Sequence, residues 1–194
     1  MKNAGVILSN QAYRSIVVAY ERSDPTFALK VVNEMERSGI QFQRAAYNAV
    51  LGVYLQFGMH NEAQELFAKM ADHSVVPNPR SYGIMIRVYA FSGQFEEAIA
   101  IFDAMRKQSF EPDQFAYHHV IRSCILLQRV EYAVDLYTDA VLAKVPLLAS
   151  TYVCLSRACE DVGLKCLASK LDMELTSQQV VRMKEAEAAY KTQA

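Results

Sequence analysis

Apolar residues recur along this chain at helical spacing in two kinds of run, and the two kinds alternate. In the first, an early Tyr is followed by apolar residues three, four and seven positions on, as in Tyr47, Val50, Leu51 and Tyr54 or in Tyr82, Met85, Ile86 and Tyr89. That is the stripe one face of a helix buries. In the second, Ala63, Leu66, Phe67 and Met70, or Ala98, Ile101, Phe102 and Met105, form a similar stripe. Gly-containing breaks, "QFGMHNEA" and "FSGQFEEA", separate the two runs, and the Gly supplies the positive φ that ends the first helix. Pro77-Asn78 and Pro112-Asp113 follow the second runs and are expected to stop that helix and turn the chain. The pattern predicts helix, short turn, helix, over and over.

The unit has a fixed length. Tyr13, Tyr47, Tyr82, Tyr117 and Tyr152 stand 34, 35, 35 and 35 residues apart, and Ala28, Ala63, Ala98, Ala133 and Ala168 keep a strict interval of 35. Met35, Met70 and Met105 lead in phase to Ala140, and Gly58, Gly93 and Gly163 form a further register broken once by Gln128. The short interval is traced to "ERSDPTFA", where Asp24 is expected to cap a helix with Pro25 at its first position. One helical hairpin cannot bury its own apolar face, so such units stack; the small Ala lets paired helices approach closely. The predicted fold is all-α, an α-solenoid.

Composition changes this picture little. Hydrophobic residues make up 52% of the 194, which excludes a disordered chain, and no apolar run approaches the roughly 18 residues of a membrane-spanning helix. Charge matters more. With 20 Lys plus Arg against 21 Asp plus Glu, bulk electrostatics attract neither nucleic acid nor an anionic membrane, so any such partner must be held by a local patch. Cys124, Cys154, Cys159 and Cys166 lack the paired spacing of zinc sites and are expected to be reduced core thiols; Cys124 and Cys159 replace Tyr54 and Tyr89 in the repeat.

A 35-residue period with an early Tyr, a second helix carrying Ala and Leu-Phe and then Met, and a closing Pro-Asn or Pro-Asp resembles the pentatricopeptide repeat (PPR). "RAAYNAVLGVYLQFGMHNEAQELFAKMADHSVVPN" and "PRSYGIMIRVYAFSGQFEEAIAIFDAMRKQSFEPD" carry the likeness most closely. It implies a right-handed α-solenoid with repeats at 10–43, 44–78, 79–113 and 114–148 and a degenerate one at 149–176. Residues 1–9 resemble the tail of a preceding repeat, so the end they form is an expected docking surface. Residues 177–194 are an expected C-terminal capping helix, opened by a capping box at Thr176 and Gln179.

The resemblance also implies a function: organellar binding of single-stranded RNA along the first helices, one base per repeat. In the family, the residue after the Tyr and the last residue of the repeat read the base edge, and the residue two before the Tyr packs on the base. Here Asn48 with Asn78 fits the family's code and implies a pyrimidine, cytosine ahead of uracil. Arg14, Gly83 with Asp113, and His118 with Leu148 occupy the other reading positions without a clear letter. Ala45, Arg80 and Phe115 occupy the base-packing position.

The residue five after the Tyr is Arg in three successive units, Arg87, Arg122 and Arg157, on the face of the base-reading side chain and suited to phosphates. First helices carry Arg14, Arg80, Arg87, Arg122 and Arg157 against Glu160 and Asp161, whereas most acids fall on second helices. Phe91 and Leu126 lie one further turn along the reading face, where exposure would make a protein-binding groove.

No nucleophile motif, phosphate-cradling loop or metal-ligand spacing is present. The expectation is a non-enzymatic protein with no cofactor, metal, small-molecule substrate or membrane insertion, acting in RNA processing, stabilisation or translation. It is placed in an organelle, the mitochondrion ahead of the plastid, although no targeting sequence is visible. The alternative is a structural subunit of an organellar ribonucleoprotein, such as the mitochondrial ribosome, with protein partners as well as RNA.

Overall fold

The computed structural model describes residue 30 and residues 44–177. Arg14, Asp24, the expected first repeat but for Lys30, the segment 1–9 and residues 178–194 lie outside the described residues. The described chain is all-α, a helical-repeat solenoid with no strand among the described residues. Its helices are α1 (Arg44–Gln56), α2 (His60–Asp72), α3 (Pro79–Phe91), α4 (Phe95–Lys107), α5 (Gln114–Leu126), α6 (Val130–Leu142) and α7 (Ala149–Asp161), followed by α8 (165–177). First helices begin at 44, 79, 114 and 149, and second helices at 60, 95, 130 and 165, so the 35-residue period of the sequence is also the period of the backbone.

The chain divides into two compact units, residues 1–111 and 112–194. In the first, α3 packs against α1, α2 and α4. α1 buries Tyr47, Val50, Leu51, Val53 and Tyr54 while α2 buries only Ala63, Leu66 and Met70. Each large apolar side chain withdrawn from water in this way stabilises the stack by about 1.5–3 kcal/mol. Ala63 and Ala98 are fully buried, as expected of the small residue at the crossing of paired helices. In the second unit α7 packs against α5 and α6, and Ala133 and Ala168 are buried at the same register.

The repeated Tyr ties one hairpin to the next. Tyr82 lies edge-on to Phe67, with ring centroids 6.1 Å apart, and its other neighbour is Phe110 at 6.0 Å. In the second unit Tyr152 meets Tyr137 edge-on at 6.1 Å, the same 15-residue offset as Phe67 to Tyr82. Such aromatic pairs add about 0.5–1.5 kcal/mol beyond area burial.

Both turns close in one way. After each first helix a residue with positive φ (Gly58, Gly93, Gln128, Gly163) is followed by an N–H that reaches back to the carbonyl of Tyr54, Tyr89, Cys124 or Cys159. After the second helices the positive-φ residues are Ser74, Ser109 and Lys144, and the N–H groups of Val75, Phe110 and Val145 reach back to Met70, Met105 and Ala140. These are Schellman closures. They correct the expectation that Pro77 and Pro112 stop the second helices, which end earlier, at Asp72 and Lys107. The prolines instead precede the next helix starts, where Asn78 and Asp113 accept N–H bonds from Ser81 and Ala116.

Two further expectations change. Cys124 and Cys159 are buried, but Cys154 is half-buried and Cys166 exposed, so the four are not all core thiols. Cys166 shares its register with Asn61, Glu96 and Glu131, a solvated column. Thr176 does not open a helix: it lies within α8, and its hydroxyl donates 2.8 Å back to the Asp172 carbonyl.

Candidate RNA interface

Two of the first helices, α3 and α5, start with polar side chains that cap them, Asn78 and Asp113, and both are candidate base-reading residues. Asn78 is the N-cap of α3: its side-chain oxygen accepts from Ser81 N–H at 3.0 Å, and Ser81 Oγ accepts from Asn78 N–H at 3.1 Å. Pro79 occupies the first helical turn, where its missing N–H costs nothing. This reciprocal cap brings Asn78 to Asn48 on the neighbouring α1. Asn48 Nδ2 donates to Asn78 Oδ1 at 3.0 Å, and Asn48 Oδ1 lies 2.6 Å from Ser81 Oγ.

Asn48 is thus 5% exposed and engaged at both ends of its amide, while Asn78 is half-buried. The burial of Asn48 is unlike the open base-reader the sequence suggests, and its Oδ1 is held by Ser81. Sequence reasoning did not single out Ser81. The signal was available in its register, since Ser81 and Thr151 both stand one residue ahead of the repeated Tyr.

The other reading positions differ. Gly83 lies on α3 with open space where a Cβ would project. Asp113 is exposed, and its Oδ1 caps α5 through Ala116 N–H at 2.8 Å. In the second unit His118 Nδ1 lies 2.8 Å from Thr151 Oγ1, and the ring stands edge-on to His119 at 5.1 Å. Burial, and then the positive charge of Arg122 one turn along, push the His118 pKa below its ordinary value. Leu148, the last residue of that repeat, is half-buried and apolar.

At the base-packing register Ala45 is half-buried, whereas Arg80 and Phe115 are exposed. Arg87 is half-buried, and its Nε–H is enclosed without an acceptor. Arg122 and Arg157 are exposed. None of the three forms an ion pair among the described residues. Phe91 and Leu126, one turn further along α3 and α5, are 53% and 50% exposed. Acids gather on the second helices, with Glu62, Glu65, Glu96, Glu97, Glu131 and Asp135 all exposed.

Among the described residues no three His, Cys, Asp or Glu side chains are grouped to hold a metal ion, and no helix is long and apolar enough to cross a membrane.

The PPR repeat family matches residues 44–90 and 81–125. No curated protein matches the chain. The fold is similar to the PPR domain of Arabidopsis thaliana protein-only RNase P 1, solved in complex with tRNA, at 17% identity and a TM-score of 0.75, covering 92% of this chain and 100% of that one. It is also similar to the maize pentatricopeptide repeat protein PPR10, solved with an 18-nucleotide psaJ RNA element, at 21% identity and a TM-score of 0.67 over 88% of this chain. The match takes in 25% of PPR10's length. The nuclear proteinaceous RNase P 2 of Arabidopsis thaliana matches at 15% identity and a TM-score of 0.70, covering 86% of this chain and 38% of that one.

Proposed function

We propose that this chain, whose residues 44–125 match the pentatricopeptide repeat family, binds single-stranded RNA in an organelle, without catalysis of its own, in RNA processing, stabilisation or translation. The observation that carries this reading is the register of Arg87, Arg122 and Arg157, one per repeat on the first helices and free of carboxylate partners among the described residues. A cation without a carboxylate partner is available to a phosphate. The solved structures with tRNA and with the psaJ element, both of similar fold, support the same ligand class.

Base reading is assigned to Asn48 with Asn78, to Gly83 with Asp113, and to His118. Base packing is assigned to Ala45, Arg80 and Phe115. Asn78 retains free amide N–H groups among the described residues, which suits the O2 and N3 acceptors of cytosine.

Filter binding of the purified chain to the four homopolymeric RNAs tests the reading. Retention of a pyrimidine polymer at low salt, weakening as salt rises, is expected. No retention of any RNA at low salt contradicts it.

A second reading, a structural subunit of an organellar ribonucleoprotein, is favoured by the exposure of Phe91 and Leu126, at 53% and 50%, because a phosphate contact has no use for them. Size-exclusion of native extract separates the two: co-elution with a large complex at fixed stoichiometry supports the subunit.

A further inference from the structure

At one register of the first helices, the side chain is hydrogen-bonded to a hydroxyl 33 residues further on. Ser81 Oγ lies 2.6 Å from Asn48 Oδ1, and Thr151 Oγ1 lies 2.8 Å from His118 Nδ1. Each hydroxyl stands at the third position of a first helix, immediately ahead of the repeated Tyr. The register between them holds Gly83, and the residue 33 positions beyond it is Ala116. Where there is no side chain to orient, there is no hydroxyl to orient it.

The proton balance of the second pair fixes its chemistry. Thr151 is 1% exposed, and its hydroxyl has His118 Nδ1 as its hydrogen-bond partner. A buried hydroxyl proton without an acceptor is costly. Thr151 therefore donates and Nδ1 accepts, which places the proton of a neutral imidazole on Nε2. Burial and the neighbouring Arg122 both favour that neutral form. His118 then carries a single N–H donor on the ring atom that Thr151 leaves free.

We propose that the hydroxyl at this register is the positioning group for the base-reading side chain of the preceding repeat, and that Thr151 holds His118 as its Nε2–H tautomer, a donor to an acceptor atom of an RNA base. The base-donor half rests on the RNA-binding reading above; the positioning half does not. Ser81 acts in the same way on Asn48, holding Oδ1 on the hydroxyl and Nδ2 on Asn78. Thr151 is the sharper test, because Ser81 also completes the capping box of α3, whereas α7 has no side-chain cap at Leu148.

The tautomer is read in the full chain, without RNA, from long-range proton–nitrogen correlations of the His118 ring, assigned by their loss in His118→Gln. Nε2–H is expected in the wild type and in Thr151→Ser. A mixture of tautomers is expected in Thr151→Val, which keeps the shape and removes the hydroxyl. An Nδ1–H ring in the wild type, or no change in Thr151→Val, overturns the positioning role.

Base discrimination is then measured with oligonucleotides varied one position at a time, at the position whose preference disappears in His118→Gln. Thr151→Val is expected to lower the ratio of best to worst base about fivefold or more, and Thr151→Ser to restore it. An unchanged ratio in Thr151→Val overturns the base-donor role. Failure of every oligonucleotide to bind the wild type overturns that role together with the RNA-binding reading, and the spectrum still decides whether Thr151 orients His118.

Discussion

Asn48 and Asn78 are joined side chain to side chain, amide nitrogen to carbonyl oxygen, at 3.0 Å. The same Asn78 oxygen accepts Ser81 N–H and so starts α3. One atom thus both caps a helix and anchors the amide of the preceding repeat, so the polar residues that would read a base are held by the machinery that starts the next helix.

Asn78→Asp separates the two duties. Asp caps a helix as well as Asn does, so unfolding by urea is expected to change by less than about 0.5 kcal/mol. The N–H donors are lost, and the preference for cytosine over the other bases is expected to fall by about 1–3 kcal/mol. Titration of labelled oligonucleotides differing at one base measures this; an unchanged preference removes Asn78 from the reading pair.

Gly93 and Gln128 occupy one place in successive turns, with φ of 77° and 59°. A side chain in this left-handed region costs about 1–2 kcal/mol. Gly93→Ala is expected to destabilise by about that amount, although a Cβ there meets nothing within 4 Å, because the cost is in the backbone and not in packing. Gln128→Gly is expected to stabilise by up to about 1 kcal/mol, reduced by the entropy of the freer unfolded chain. Denaturant midpoints of the two variants, moving in opposite directions, check the account.

Much of this fold was legible because each repeat says the same thing. The Tyr, Ala and Gly columns set the phase, and the helix starts at 44, 79, 114 and 149 follow it. The stops of the second helices were not legible. Ser74, Ser109 and Lys144 take the left-handed conformation without being Gly, so nothing in composition marks them, and the nearby prolines drew the inference too far along the chain. At the candidate site, residue types pointed to Asn48, but not to its burial or to its hydrogen bond with Ser81 33 residues away. Cys166 shows the opposite case: its column of Asn61, Glu96 and Glu131 already announced an exposed position.

The four cysteines therefore sort by depth. Cys124 and Cys159 are buried, and burial pushes the Cys159 thiol above its ordinary pKa, further from the reactive thiolate. Cys166 is expected to react first with an alkylating reagent under native conditions, Cys154 more slowly, and Cys124 and Cys159 only on unfolding. Mass spectrometry of a labelling time course checks the order.

His118 gives the second unit a pH dependence of definite sign. Its pKa is lowered in the folded protein, so between that value and the ordinary 6.5 the unfolded chain binds more protons. Its contribution to stability is constant above about pH 6.5 and declines as pH falls through the folded pKa. The groups facing it are Thr151, the ring of His119 and Arg122. His118→Gln is expected to remove this part of the acid-side decline in melting temperature; a decline unchanged in the variant would place its origin elsewhere.

The proposed contact of Arg87, Arg122 and Arg157 with the phosphates of RNA carries a salt dependence of its own. It is tested most directly by measuring the dissociation constant for single-stranded RNA against salt concentration, for the wild type and for the variant carrying Arg87→Glu, Arg122→Glu and Arg157→Glu. Each phosphate contact on a single strand contributes about 0.7 to the slope of log affinity against log salt. The account predicts weaker binding and a slope smaller by about 2. Equal affinity and an equal slope in both proteins would contradict it.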